Sequence, residues 1–461
     1  MRKIIQYLLL LFLSTTPFAV SICLFVFCKN YPESFSTKEI PWFILPIVLQ
    51  YILLNKICIS SISTHKVLAI GFIGLNIFLL ITLFTFNTIP VSDYKAIWDT
   101  AVLMANDQFN INNYSPKDYI YIYNWQLGIS AFESLFIRLF GENFFIFKIL
   151  NVLLINTTVW ISYILSRNMF GKITSYYTVL LFCSFYPIII TCSQFTNQHL
   201  ATLLILSSLY LINKATKQSI LLAGALVAIL NVIRPMGIII NLAYIIWLIY
   251  FYIKNKNTKR FVISILLYFI PFYAVQKSFD FAFIKLEYAD TSISKPKIPY
   301  FKFDKGLTGY NTPDLSPFEY NLEKYNQWQK EKIANKIVEN PQEVIIFITN
   351  KMIRYLGLFD YKFENTYNHN SDIWQKYPIK FFYSFGWGQY VFLVLLAIIG
   401  FYKWSKKTDL DIFQIFFLGI ISVYIFIEAF TSYRYESYPL LILYASFGCR
   451  YIFKRSAAII E

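Results

Sequence analysis

Long apolar runs, separated by short polar joints, dominate the chain. A membrane-spanning helix needs about 20 mostly apolar residues, and twelve runs reach or approach that length: 4–27, 40–57, 67–89, 144–166, 173–193, 197–213, 219–234, 237–253, 261–276, 384–402, 412–430 and 438–453. The first follows Met1-Arg2-Lys3 and is too long for the apolar part of a signal peptide. No small-residue cleavage site comes after it, so it reads as a retained signal-anchor helix. Two longer polar stretches interrupt the pattern, at 90–143 and 277–380. The chain therefore divides into N-terminal spans (1–89), a first outer loop (90–143), central spans (144–276), a large outer loop (277–380) and C-terminal spans (381–461). The pattern predicts an all-α polytopic membrane protein, a bundle of about 12 transmembrane helices with two large loops carrying interfacial helices.

Basic residues orient the bundle. Alternate joints carry 18 Lys and Arg, from Arg2 and Lys3 through Lys254, Lys256, Lys259 and Arg260 to Arg450, Lys454 and Arg455. The opposite short loops hold seven: Lys29, Lys38, Lys95, Lys117, Arg138, Arg234 and Arg434. Positive charge collects on the cytoplasmic side, which puts both termini in the cytoplasm and both large loops outside.

Composition agrees. Of 461 residues, 57% are hydrophobic, 20% aromatic and only 15% charged, against about 25% charged in soluble domains. That excludes a soluble enzyme, a disordered chain and a fibrous protein. The net charge of +15 sits at the ends of apolar runs, so it marks topology and not a nucleic-acid partner. The six cysteines lie in or beside apolar segments with no C-x-x-C pair, and the three histidines (His65, His199, His369) have no ligand spacing. The cysteines read as small buried hydrophobes. Heavy use of Ile, Phe, Tyr, Asn and Lys points to an AT-rich bacterial genome, and so to a bacterial plasma membrane.

The first outer loop opens with Pro90-Val91-Ser92-Asp93-Tyr94. Ser92 is a suitable N-cap, and Tyr94, Trp98, Ala101, Val102 and Ala105 share one face of a short amphipathic helix on the membrane surface. Asp93 falls in its first turn, where free amides stabilise negative charge. A carboxylate at the lipid–water boundary can take a proton from a hydroxyl. It could equally bind a divalent cation, or simply stabilise the helix end. Beyond it, Tyr119, Tyr121, Tyr123, Asn124, Trp125 and Gln126 combine aromatics with amides. That mixture suits a sugar, whose C–H faces pack on rings while its hydroxyls bond amides; an interfacial aromatic belt explains the tyrosines alone.

Arg234, in Asn231-Val232-Ile233-Arg234-Pro235-Met236-Gly237, stands between two apolar runs at the outer end of its helix. There a guanidinium binds a lipid phosphate in fork geometry, or snorkels and only marks the interface. Arg434, between Tyr433 and Tyr435, is a second candidate, with Glu436 as its ion-pair partner. In the large loop, Ser316-Pro317-Phe318-Glu319 has the form of a capping box opening a polar helix to about Glu339, and Asn340-Pro341 opens another. The latter puts Val344, Ile345, Ile348, Met352 and Leu356 on one side and Glu343, Asn350, Lys351 and Arg354 on the other, a surface helix with cations at headgroup level.

In this order, an outer-loop acid, an aromatic stretch, Gln126-Leu127-Gly128, then Leu139-Phe140-Gly141 and a long helix, the chain resembles the GT-C glycosyltransferases of family 39. These use polyprenyl-phosphate sugars and include protein O-mannosyltransferases and lipid A aminoarabinose transferases. Lys148 through Asn151 to Arg167 and Phe170-Gly171, the Arg234-Pro235-Met236-Gly237 turn, and Arg434-Tyr435 with Pro439 resemble later family motifs. The chain departs from them at Tyr123-Asn124-Trp125, where many relatives have Glu-Lys-Pro or Tyr-Pro, and at Thr196-Asn197-Gln198-His199, where they often have an acid. The resemblance implies an inverting hexosyl- or pentosyltransferase working on the outer face, with a glycan, lipid or protein acceptor. It implies Asp93 as the base, or as ligand of a divalent cation. Arg234 and Arg434 would hold the leaving phosphate, and Tyr94, Tyr123, Asn124 and Gln126 would line the sugar or acceptor site. A polysaccharide repeat-unit polymerase is the alternative enzyme. A lipid or solute transporter fits less well, because ionisable residues are nearly absent from mid-helix positions.

Overall fold

The computed structural model describes residues 1–30, 40–59, 64–86, 88–309, 313–357, 379–407, 410–429 and 431–453. Among the described residues nineteen α-helices run in chain order: α1 (Arg2–Asn30), α2 (Ile40–Ile59), α3 (Thr64–Thr85), α4 (Asp93–Ala105), α5 (Tyr119–Ile122), α6 (Leu127–Phe140), α7 (Phe144–Phe170), α8 (Lys172–Ser184), α9 (Tyr186–Ile190), α10 (Gln198–Lys214), α11 (Lys217–Ile233), α12 (Gly237–Asn255), α13 (Thr258–Lys285), α14 (Phe301–Thr308), α15 (Leu322–Glu339), α16 (Pro341–Gly357), α17 (Ile379–Lys407), α18 (Ile412–Phe426) and α19 (Tyr438–Ile452). There is no strand among the described residues. The protein is an all-α, polytopic membrane protein.

Six of these helices are long and apolar enough to cross a bilayer, or seven if the bent pair α8–α9 makes one span; α2, α11 and α18 are shorter apolar helices. The count falls below the twelve runs of the sequence for a physical reason. Helices such as α10 and α19 are 17 and 15 residues long and are enclosed by other helices. From Tyr438 to Cys449 every side chain of α19 is buried. Such a helix meets protein and not lipid, so neither its length nor its polarity is set by the hydrocarbon. It crosses α17 closely: a Cβ on Gly448 would come within 2.1 Å of the Leu396 carbonyl oxygen, and one on Gly400 within 1.8 Å of that of Tyr444.

The bend of 55° between α8 and α9 falls at Phe185, just before Pro187. A break at membrane depth frees backbone groups that must find partners. The Gln389 side chain supplies them, donating to the Ser184 carbonyl (2.6 Å) and accepting from the Tyr186 amide (2.8 Å). The bend carries the chain into the Thr191–Ser193 turn and on to Asn197. Asn151 of α7 holds that segment by donating to the carbonyls of Cys192 (3.1 Å) and Gln194 (2.8 Å).

Several local expectations change. Helix α13 continues to Lys285, beyond the boundary at 276. Ser316-Pro317-Phe318 forms one 3-10 turn and no capping box; the polar helix starts at Leu322, capped by Asn321, whose Oδ1 accepts from the amides of Glu323 and Lys324 (both 3.0 Å). Glu319 and Tyr320 have positive φ, which ends the turn. Helix α16 forms as expected, but it packs against α1 and Lys351 does not face headgroups. It is buried, and its ammonium donates to the carbonyls of Gly306 (2.6 Å), Ile425 (2.8 Å) and Ile427 (2.9 Å). A lysine there caps the C-terminal end of α18. Cys183, Cys192 and Cys449 are free and buried, as expected of small hydrophobes; Cys23, Cys28 and Cys58 have side chains outside the described residues, and His369 lies outside them altogether.

Candidate active site

A cleft of about 180 Å³ opens where the stretch from Val91 to Glu133 meets the start of α10, the end of α11 and the turn before α19. Its construction starts with α4. The apolar face read from the sequence forms: Trp98 and Ala101 are buried against Ile137, Phe147 and Phe195, with Tyr94, Val102 and Ala105 beside them. Helix α6 lies along α4, tied by Ser130 Oγ donating to the Ile97 carbonyl (3.1 Å) and Arg138 donating to the Met104 carbonyl (2.7 Å). Ser92 does not cap α4. Its φ is 52°, it makes no capping bond, and its hydroxyl approaches Asp93 Oδ1 instead (3.4 Å). Asp93 stays exposed at the start of the helix.

Gly128 then sets the distance between α6 and α11. A Cβ there would lie 1.9 Å from the Val232 carbonyl oxygen, so only glycine allows the contact. Two residues further on, Arg234 leaves the end of α11 in an extended conformation. Its Nε lies 2.7 Å from Glu436 and its Nη1 donates to Asn197 Oδ1 at 2.7 Å. The guanidinium also stands over the Tyr433 ring (5.5 Å) and bonds the Tyr424 hydroxyl. Glu436, Tyr424 and Tyr433 thus surround its charge. Asn197 closes the frame by donating to the Ile233 carbonyl (3.0 Å).

Asp93, Tyr94, Gln126 and Arg234 therefore line one cleft, together with Ile97, Ile129, Thr196, Asn197, Gln198 and Tyr433. Gln126 bonds the phenol of Tyr119, whose pKa is raised by burial first and then by Asp93, Tyr123 and Tyr94. The other candidates lie elsewhere. Asn124 is buried and ties down the large loop, donating to the Lys295 carbonyl (3.0 Å) and accepting from the Lys297 amide (3.3 Å). Tyr123 packs among Tyr119, Trp125 and Phe301. Arg434 is 2% exposed, donates to the Leu356 carbonyl (3.1 Å) and faces the Tyr390 ring (4.4 Å).

The Arg434–Glu436 pair expected from the sequence is replaced by Arg234–Glu436. Residues 431–437 form a 3-10 helix, in which positions three apart eclipse. Tyr433 and Glu436 thus share a face and both meet Arg234, while Arg434 points away. Tyr435 points to His199: Nε2 must donate to the Thr191 carbonyl (2.9 Å), which leaves Nδ1 to accept from the Tyr435 hydroxyl (2.7 Å).

Two groups, one lining the cleft and one behind its Arg234–Glu436 wall, escaped the sequence reading. Glu133 lines the cleft from α6, is 3% exposed, and its Oε2 has no hydrogen-bond partner among the described residues. Burial pushes its carboxyl up to about 8. Its signal was a lone acid on the apolar face of an amphipathic helix. Lys302, on α14, stands close enough to Arg234 and Glu436 to feel both charges, and burial draws its pKa down to about 8. Its neighbour Lys305 pairs with Glu428 (3.2 Å), and the Glu428 amide donates to the Lys302 carbonyl (2.9 Å), so the large loop is docked beside the cleft. Among the described residues no three His, Cys, Asp or Glu side chains are placed to hold a metal ion.

Residues 127–275 match the family model described as dolichyl-phosphate-mannose-protein mannosyltransferase. The match bears out the resemblance to family 39 and supports a membrane glycosyltransferase of the GT-C type. It runs from Leu127 at the start of α6 into α13 and so includes Glu133, Asn197 and Arg234, while Asp93 and Tyr94 precede it. It covers just under a third of the 461 residues. No curated protein and no solved structure matches the chain.

Proposed function

We propose that the protein transfers a sugar from a polyprenyl-phosphate donor to a hydroxyl acceptor on the outer face of a bacterial plasma membrane, with inversion at the anomeric carbon. The acceptor is a cell-envelope glycan, lipid or protein. The observation that carries this reading is that Asp93 and Arg234, more than a hundred residues apart, line the same cleft.

The acceptor hydroxyl attacks the anomeric carbon as the bond from that carbon to the phosphate oxygen breaks. Asp93 takes the hydroxyl proton, and polyprenyl phosphate leaves with the bonding pair. A positioned base of this kind contributes about 10²–10⁴ in rate. Negative charge grows on the phosphate as the bond breaks, and a fixed guanidinium beside it lowers the barrier. Arg234 is suited to that role because Glu436 and Asn197 hold it in place before the donor arrives. Tyr94 and Gln126 supply polar groups in the same wall for sugar or acceptor hydroxyls. Tyr123, Asn124 and Arg434 act as supports of the surrounding loop and helices, in keeping with their partners there.

Mass spectrometry of envelope glycans from a deletion strain, complemented with wild type or with Asp93→Ala, tests the proposal. Loss of one sugar substituent that only wild type restores supports transfer and names the sugar. Accumulated single repeat units would mean a polymerase, and an unchanged profile would point to transport.

A further inference from the structure

Glu133 is the buried titratable group of the cleft to which the reaction above gives no task. It sits in the second turn of α6, on the face that also carries Gly128, Ile129, Ser130 and Ile137 into the interior. Buried polar atoms are almost always bonded, yet its Oε2 lacks a partner among the described residues. A carboxylate in such a place needs a cation, and the cation lining this cleft is already committed: Arg234 is joined to Glu436, Asn197 and Tyr424. Among the described residues, the other charged or titratable groups facing the cleft are Asp93 and Tyr94 on α4 and Tyr433 before α19. None of them can neutralise a second carboxylate.

The commitment of Arg234 has a second consequence. A phosphodiester has two free oxygens, and a leaving phosphate has more charge to spread. With most of its fork engaged, Arg234 cannot satisfy them alone, so the site needs another donor. A neutral carboxyl is one, and its bond to a phosphate oxygen is of the strong, charge-assisted kind.

We propose that Glu133 is a donor-binding residue: its uncharged carboxyl gives a hydrogen bond to a phosphate oxygen of the lipid donor bound beside Arg234. This rests on the cleft being the donor site. Burial favours that neutral form up to a pH of about 8. Once ionised, the same group repels the phosphate, so binding carries a requirement for one proton on the protein.

The test is the affinity of the full-length protein in nanodiscs for polyprenyl monophosphate at about pH 7.5 and above pH 9, both well above the second pKa of about 6 of a phosphate monoester, so that the probe's own charge is nearly constant. Wild type should weaken about tenfold across that range, the value of one charge-assisted hydrogen bond. Glu133→Gln, which keeps a donor and cannot ionise, should bind like wild type at the lower pH and lose most of the slope. Glu133→Ala should bind about tenfold more weakly at the lower pH. Lys302 titrates in the same range, and Lys302→Gln measures its share of the slope. An unchanged slope in Glu133→Gln, or binding by Glu133→Ala equal to wild type at the lower pH, overturns the assignment. If Arg234→Ala weakens binding while both Glu133 variants match wild type, the donor site stands and only Glu133 is removed from it. If wild type does not bind the probe, or Arg234→Ala binds as wild type does, the donor-site reading falls and Glu133 with it.

Discussion

Arg234 and Glu436 form a buried ion pair, 2.7 Å between Nε and Oε1, that joins the end of α11 to the turn before α19. Glu436 is fully enclosed, while Arg234 retains partial exposure toward the cleft. The pair thus makes a rigid wall with one cationic surface turned to the ligand. Removing one partner strands a buried charge, at a cost of about 3–5 kcal/mol. Glu436→Ala should therefore lower the melting temperature and the donor affinity together, read by thermal unfolding in detergent and by polyprenyl-phosphate binding. Replacing both partners by methionine should restore much of the stability without restoring binding.

Asp93 is exposed, and its carboxylate makes no ion pair among the described residues. Asp93→Asn should leave the melting temperature within about a degree or two of wild type, as for most surface changes. Turnover should fall by about 10²–10⁴, with donor affinity unchanged.

The Glu133 carboxyl gives a stability prediction with a definite sign. Its pKa rises from an ordinary 4.5 to about 8 in the folded protein because burial penalises the charge. Between those values the folded state holds a proton that the unfolded chain has released. Stability must then fall as pH rises through that window, and level off above it. Wild type should melt at progressively lower temperature from about pH 5 to pH 8. The same series on Glu133→Gln should lose this component of the slope.

Gly128 sets the approach of α6 to α11, and a methyl group there meets the Val232 carbonyl oxygen at 1.9 Å. Because a backbone atom cannot turn aside, Gly128→Ala must push the two helices apart. A destabilisation of about 1–3 kcal/mol should accompany a marked loss of transfer, since Asp93 and Arg234 sit on opposite sides of that contact. Full activity in this variant would mean that their spacing matters less than the cleft suggests.

Lys351 bonds three carbonyls, those of Gly306, Ile425 and Ile427, and so holds α14, α16 and α18 together. Lys351→Met keeps the length and removes the donors. Each stranded carbonyl costs about 1–3 kcal/mol, and limited proteolysis of the large loop should speed up accordingly.

The features that could be read from the sequence share one property: their placement follows from local pattern. The apolar face of α4, Asp93 in its first turn and Arg234 at a helix end before Pro235 are set by neighbours a few positions away. The roles that could not be read depend on partners far along the chain. Nothing near Glu436 says that it pairs with Arg234 and not Arg434; a 3-10 turn decides it. Asn124 has the composition of a sugar-binding residue, but its amide is spent on carbonyls of the large loop. Lys351 has the position of a headgroup-facing cation, yet it caps α18. Short spans such as α19 were legible as apolar runs, but their enclosure by other helices was not.

The central claim is that Asp93 and Arg234 define a glycosyl-transfer site, and sugar loss from the lipid donor tests it most directly. Membrane vesicles carrying wild type, Asp93→Asn or Arg234→Ala would be supplied with labelled polyprenyl-phosphate sugars, and release of polyprenyl phosphate followed over time. Wild type should release it as the label moves to an acceptor. Asp93→Asn should bind the donor without releasing it, and Arg234→Ala should do neither. Release by Asp93→Asn at the wild-type rate would contradict the account.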